Sequence, residues 1–439
     1  MSQLILEDVL RKTVDLEYGL IRYLSEIPLQ PGEPDIHIAI AEFQSPFMVP
    51  PRRTSRVKTM TNRQAAGAGI DRETAIWSTI GEAIERYAGM IYDVDAVVLS
   101  CASDLRGARV ITPAQFIQFS DQQYADPDFP FDAYTDDKLV GWTKAENMDD
   151  GQPVWVPAAL TFMGYEQMSS EEWQMDAYST GLACGPTAEW ATITALRELV
   201  ERDSFSLHWA ARRTPPIIDL YAIADRVDPR LFKLLEQSGA TLNLRDVTTE
   251  LGIPTVLSIV TPPSGPGLAL GASCHPDPAK AVEKAIVESF HTYNWLLEME
   301  RWPKRVMALE EISSFSDHVQ FHRDPDNAHL TDFLRADAPP SRLFDEDALC
   351  SPSLSQEEML TAMVGRLADH GHEVFVVDMT PADVAALDFE VRKVLSPGLQ
   401  PLWCGRLGAF EDRRRFDVFL KAFGLPAETP INNDPHPFP

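Results

Sequence analysis

The 439-residue chain carries 44% hydrophobic and 24% charged residues, enough apolar content to bury a large core and to exclude global disorder. Its 38 Lys and Arg against 66 Asp and Glu leave a net charge of −28, which repels phosphate backbones and anionic lipid surfaces and excludes nucleic acid and membranes as partners. Cys101, Cys184, Cys274, Cys350 and Cys404 are odd in number and widely spaced, with no CxxC pair, so a reducing, cytoplasmic setting without a cysteine-held zinc is expected.

The length fits two or three domains or one large mixed domain. Met1 to Thr13 has no basic segment ahead of its apolar residues and includes Glu7 and Asp8, unlike a secretory signal. After this short amphipathic stretch His37 to Phe43 reads as a strand, and Pro50, Pro51, Arg52 and Arg53 predict a linker. Asp71 is an N-cap with Glu73 in the first turn, and Ile76, Ile80, Ile84, Tyr87 and Ile91 then keep to one helical face. Residues 101–139, rich in Asp, Pro and aromatics, predict an irregular excursion, and Val140 to Thr161 a hairpin turning at Asp149-Asp150-Gly151. A second long helix is predicted from Thr187 to about Ala210. Thr255 to Thr261 and Leu268 to Ser273 read as strands, and Asp277 with Pro278 starts a third helix that runs to about Glu300. Residues 313–354 predict a polar, proline-containing loop. Ser355 and Glu358 supply a capping box for a helix ending near His370-Gly371, and strands are expected at Val374 to Met379 and Val391 to Leu395. Helices and strands mix without a βαβ repeat, so the fold class is α+β rather than a doubly wound sheet.

Three helices carry acidic stripes. Ser78, Glu82 and Glu85 stand at i, i+4 and i+7, which lines a hydroxyl and two carboxylates along one face; such a stripe suits a magnesium ion or an ordinary solvated surface. Glu198 shares its stripe with Ala191, Thr194, Phe205 and Trp209, so it needs a partner: Arg202 in a structural pair, or a metal shared with Glu201. Lys284, Glu288, His291 and Trp295 form the third stripe, where Lys284 and Glu288 equally make a helix ion pair. The chain has no Gly-Lys dipeptide and no GxGxxG, which excludes a P-loop and a dinucleotide fingerprint. A nucleotide bound here must be held by carboxylates and metal.

These residues carry a resemblance. Ser78-Thr-Ile-Gly-Glu82-Ala-Ile-Glu85-Arg86 is similar to the SxxxExxER signature of the YcaO family. Ser179 to Gly185, followed by Ala195-Leu-Arg-Glu198-Leu-Val-Glu201-Arg202-Asp203, resembles its ALxExxERD signature, and Lys284 to Glu288 its third helix. Val377 to Thr380 with Ser396 to Leu399 resembles the family's C-terminal strand region, and Pro435-His-Pro437-Phe-Pro439 the terminal PxPxP of its azoline-forming members. Trp190, Ala68 and His291 depart from the family pattern, which more often has an acidic residue, the lysine of a GKG variant and a glutamine.

The resemblance implies a YcaO domain over residues 55–439 behind an N-terminal extension of residues 1–54, with mixed sheets and packed helices around a carboxylate-lined ATP site. It implies Mg2+ held by Glu82, Glu85, Glu198 and Glu201, and ATP bound by these with Ser78, Arg86, Arg202 and Glu288. Arg202 and Pro439 are the expected catalytic residues; a proline-rich tail is already extended and enters a pocket at low entropic cost. The implied reaction adds a Cys, Ser or Thr side chain of a ribosomal precursor peptide to the preceding amide, and ATP-dependent phosphorylation of the amide oxygen then allows a thiazoline or oxazoline to form. The segment ahead of the domain is too short for a leader-binding domain, so a ThiF-like or leader-recognition partner is expected, with a flavin dehydrogenase as a possible companion and the chain as a homodimer. Alternatives are a YcaO enzyme forming a thioamide or amidine, a non-catalytic scaffold subunit, and a Cys184 nucleophile at a helix N-terminus.

Overall fold

The computed structural model describes residues 5–30, 33–45, 63–107, 109–116, 119–166, 171, 178–263, 267–301, 306–344, 354–405 and 410–439; the predicted linker at Pro50 to Arg53, and Cys350, lie outside them. α1 (Leu6–Thr13) leads to β1 (Ile21–Glu26), β2 (His37–Phe43) and β3 (Gln64–Gly69). α2 (Arg72–Gly89) follows at once, its first turn capped by the Asp71 carboxylate, which accepts from the Thr74 N–H. β4 (Val98–Ser100) and β5 (Arg109–Val110) cross the irregular stretch, and β6 (Val140–Asn147) and β7 (Pro153–Pro157) make the predicted hairpin. The hairpin ends short of Thr161: Pro157 has no N–H to extend the ladder, and Ala158–Thr161 coil into a single helical turn.

β8 (Leu182–Gly185) precedes α3 (Ala188–Ala210), which starts where the Thr187 hydroxyl accepts from the Trp190 N–H. Next come β9 (Ile217–Ile218), α4 (Arg230–Ser238), β10 (Thr241–Asp246), β11 (Thr255–Thr261) and β12 (Ala269–Cys274). α5 (Pro278–Met299) begins with the Asp277 cap and a proline at its first position. The stretch expected as loop contains α6 (Phe315–Phe321) and a further helical turn at Asp332–Arg335. Ser314 caps α6 and Phe315, His318, Val319 and His322 recur at helical spacing, a pattern that the polar composition around them obscured. α7 (Gln356–Asp369) has the predicted capping box, and β13 (Phe375–Asp378), β14 (Glu390–Leu395) and α8 (Arg413–Ala422) complete the chain.

Among the described residues the strands form three sheets, ordered β1-β2-β3, β12-β11-β10-β9 and β5-β7-β6-β13-β14-β8, with β4 beside β6 in the last. All pairings are antiparallel except β5 with β7, so this is the expected α+β architecture. The first 54 residues supply two of the three strands of the first sheet, paired directly to β3. The three long helices lie between sheets: α2 packs on β2, β3 and β8, α3 on β8, β14 and β12, and α5 on β11, β12 and β3. Small residues allow this closeness. A Cβ on Gly271 of β12 would lie 2.2 Å from the Ser289 nitrogen of α5, and one on Gly67 of β3 would lie 2.4 Å from the Thr79 nitrogen of α2. Separate apolar cores form under α2, under α5 and between α3 and α7, which leaves the polar faces of α2, α3 and α5 to meet one another. Among the described residues no helix is long and apolar enough to cross a membrane.

Candidate active site

The acidic stripe of α2 does not face open solvent. Glu82 and Glu85 each lie beside Arg86, at 3.6 and 3.8 Å, and keep 34% and 17% of their side-chain surface exposed. Burial pushes the Glu82 carboxyl above its usual range, against the pull of Arg86 and of His291 on α5, while the Glu288 carboxylate adds to the rise. Burial raises Glu85 further, opposed by Arg86 and reinforced by Glu198 of α3 and by Glu82. Burial works against the Arg86 cation too, yet Glu85, Glu82 and Glu198 together hold its pKa above normal. Ser78 is exposed one turn before Glu82, beside Gly67 of β3.

On α3 the Glu198 carboxylate accepts from the Gly181 N–H at 3.0 Å and lies 3.5 Å from Arg202. Glu201 lies 3.4 Å from Arg202 and accepts from the Cys274 N–H at 3.3 Å, while the Arg197 Nε donates to the Cys274 carbonyl at 2.6 Å. The end of β12 is thereby clipped to α3. Burial raises the Glu201 carboxyl, Arg202 and Lys284 oppose it, and Glu198 and Glu288 add repulsion. The structure therefore brings Glu82, Glu85, Arg86, Glu198, Glu201, Arg202 and Glu288 together from three helices.

Sequence reasoning missed Lys393, which is 2% exposed on β14. Its ammonium donates to the Tyr178 and Thr180 carbonyls at 2.7 and 2.8 Å, and burial lowers its pKa to about 8 against the opposing charges of Glu198 and Glu85. The signal lay in strand parity: Val391 and Leu395 face inward, and Lys393 shares their face. By contrast Asp203, inside the second acidic signature, belongs to the scaffold. It is wholly buried against Arg415 of α8 at 2.7 Å and accepts from the Gln400 N–H. Cys184 lies buried in β8, where burial and the Glu85 charge push its thiol well above the ordinary range, the reverse of what a thiolate nucleophile needs. Trp190 is 39% exposed and covers Gly185.

Among the described residues no three carboxylate, imidazole or thiol groups stand at metal-coordinating spacing, and Arg86 and Arg202 pair with the carboxylates. The donor set nonetheless fits a hard divalent cation: several carboxylates, raised in pKa by burial and mutual repulsion, lie close enough to feel one another's charge. A phosphate chain fits beside them: the buried Arg202 Nη1 faces Glu201 at 3.4 Å without forming a hydrogen bond, so it still has a donor to give. The segment at Pro435–Pro439 reaches the same place. The Arg202 guanidinium lies 4.5 Å over the Phe438 ring, Pro435 to Phe438 are buried, and Pro439 is partly exposed.

Known proteins share this fold. The chain is 28% identical over 252 residues to an uncharacterized protein in the tfuA 3′ region of Rhizobium leguminosarum bv. trifolii, covering 55% of this chain and 57% of that protein. It is 29% identical over 228 residues to an uncharacterized protein of Methanothermobacter thermautotrophicus, covering 51% and 55%. Among solved structures, a heterocyclase in complex with substrate and cofactor superposes with a TM-score of 0.78 at 23% identity, over 98% of this chain and 57% of that one. The heterocyclase TruD gives 0.64 at 25% identity over 84% and 52%, and the YcaO protein of Methanopyrus kandleri bound with AMPPCP and Mg2+ gives 0.63 at 20% identity over 90% and 88%. The chain thus spans little more than half the length of both curated relatives and of the two heterocyclases. The profile of the YcaO cyclodehydratases, described as ATP- and Mg2+-binding, matches residues 66–400, and the chain belongs to that family.

Proposed function

We propose that the chain is an ATP-dependent cyclodehydratase that converts Cys, Ser or Thr residues of a ribosomal precursor peptide to thiazolines or (methyl)oxazolines. The observation that carries this reading is the convergence of Glu82, Glu85, Glu198 and Glu201 around Arg86 and Arg202, with the Pro435–Pro439 segment seated against Arg202. MgATP supplies the phosphoryl group that turns the oxyanion of the attacked amide into a leaving group. In this reading the four glutamates hold Mg2+, and Ser78, Arg86 and Glu288 bind the nucleotide. Arg202 faces the negative charge that develops at the phosphoryl group, where a preorganised cation in a recess is most effective. Pro439, in the segment seated against Arg202, is the second catalytic residue of this reading.

A ThiF-like or leader-recognition protein delivers the peptide, a flavin dehydrogenase oxidises the rings where azoles are made, and the chain acts as a cytoplasmic homodimer. The test combines the purified chain, its partner, a precursor peptide, Mg2+ and ATP. The expected result is loss of one water from the peptide per ATP consumed. A peptide that exchanges oxygen for sulfur instead would establish the thioamide alternative, and a folded complex with no ATP turnover would leave a scaffold.

A further inference from the structure

The segment ending in Pro435-His-Pro437-Phe-Pro439 presents an uncommon packing problem. Three of its last five residues have no N–H, so it cannot join a sheet ladder, and its buried carbonyls must find donors elsewhere. Three successive carbonyls do so through aromatic ring nitrogens. The Trp209 Nε1–H donates to the Asp434 carbonyl at 2.9 Å, His322 Nε2 lies 2.6 Å from the Pro435 carbonyl, and His318 Nδ1 lies 2.9 Å from the His436 carbonyl. A carbonyl only accepts, so His318 carries its proton on Nδ1 and His322 on Nε2. The other nitrogen of His318 accepts from the Gly405 N–H at 3.3 Å, which fits a neutral ring. Both histidines are buried, one turn apart at α6. Beyond this grip the Phe438 ring rests 4.8 Å from Phe205 and beneath Arg202.

We propose that His318 and His322 are positioning residues, a pair of opposite tautomers that clamps the backbone of Pro435 and His436 and thereby seats the segment against Arg202. The effect on catalysis rests on the proposed role of that segment in ring formation; the clamp itself does not. Amides discriminate the tautomers, because an asparagine amide nitrogen replaces Nδ1 and a glutamine amide nitrogen replaces Nε2.

In the full chain with its partner and peptide, His318→Asn and His322→Gln are expected to keep kcat for ring formation within about threefold. The mismatched His318→Gln and His322→Asn are expected to lose roughly tenfold or more, the effect of one missing buried hydrogen bond, with the KM for ATP unchanged. Equal behaviour of the two amides at both positions, or losses that merely track melting temperature, would overturn the clamp. Long-range proton–nitrogen spectra of the histidine-labelled native chain give a second reading: His318 as the Nδ1–H tautomer and His322 as the Nε2–H tautomer support it, and reversed or averaged tautomers refute it. If a chain lacking Pro437–Pro439 forms rings at full rate, the segment's catalytic role fails, and these spectra alone decide the clamp.

Discussion

Glu201 is 8% exposed, held between Arg202 and the Cys274 N–H, so replacing it with the isosteric amide removes charge while keeping shape. Glu201→Gln is therefore expected to lower ATP turnover about 100-fold or more, with the melting temperature close to that of the native chain. Phosphate release and thermal unfolding measured side by side check this, and normal turnover would refute a metal-binding role. Lys393 poses the opposite case. Lys393→Met strips the counter-charge from Glu85 and Glu198 and removes the donor that the Tyr178 and Thr180 carbonyls share, so a destabilisation of roughly 3–5 kcal/mol is expected in urea unfolding. At this scale the acidic signatures were legible because their spacing puts side chains on one helical stripe. Spacing alone favoured a solvated surface for Glu82 and Glu85, since nothing local shows that charged groups of a second and third helix approach the stripe.

Elements were legible where a local signal ends them. The caps at Asp71, Thr187, Asp277 and Ser355 mark the starts of α2, α3, α5 and α7, because a side-chain acceptor for an orphan N–H is written within a few residues of the helix. β1, β3, β4, β5, β8, β9 and β10 were not predicted as strands: in β3, for example, residues 65–69 are all Gly and Ala, and strand formation there depends on the helix packed against it. The same closeness makes a prediction for β12. Gly271→Ala puts a methyl group into the α5 backbone, and a shift of the strand is expected to cost about 1–3 kcal/mol, read as a lower urea midpoint at unchanged slope.

α6 adds a pH dependence. Burial lowers His318 and His322 to about 4, and the titratable or charged groups facing them are His436, Asp317 and, beyond His436, Arg202. Unfolded histidine titrates near 6.5, so between about 6.5 and 4 the unfolded chain binds more protons and acidification destabilises the fold. By pH 5 this amounts to roughly 2 kcal/mol per ring. The double variant His318→Asn with His322→Gln is expected to show a shallower fall of melting temperature from pH 7 to pH 5 than the native chain. Equal slopes would show that the two rings titrate normally.

Across the whole molecule, carboxylates from three helices meet at one place, where Arg86, Arg202 and Lys393 only partly offset them. By itself the sequence determined the fold class, most of the long helices and strands, and the family, since periodicity, caps and spaced signatures are properties of neighbours along the chain. Only the tertiary structure decided that Glu82 and Glu85 lie among charged groups of α3 and α5, that Lys393 rather than Cys184 is the telling buried group of the strand region, that Asp203 serves the scaffold, and that two histidines from a supposed loop grip the proline-rich segment. Each of those depends on contacts between residues far apart in sequence, where burial and partner charges, not spacing, set what a side chain can do.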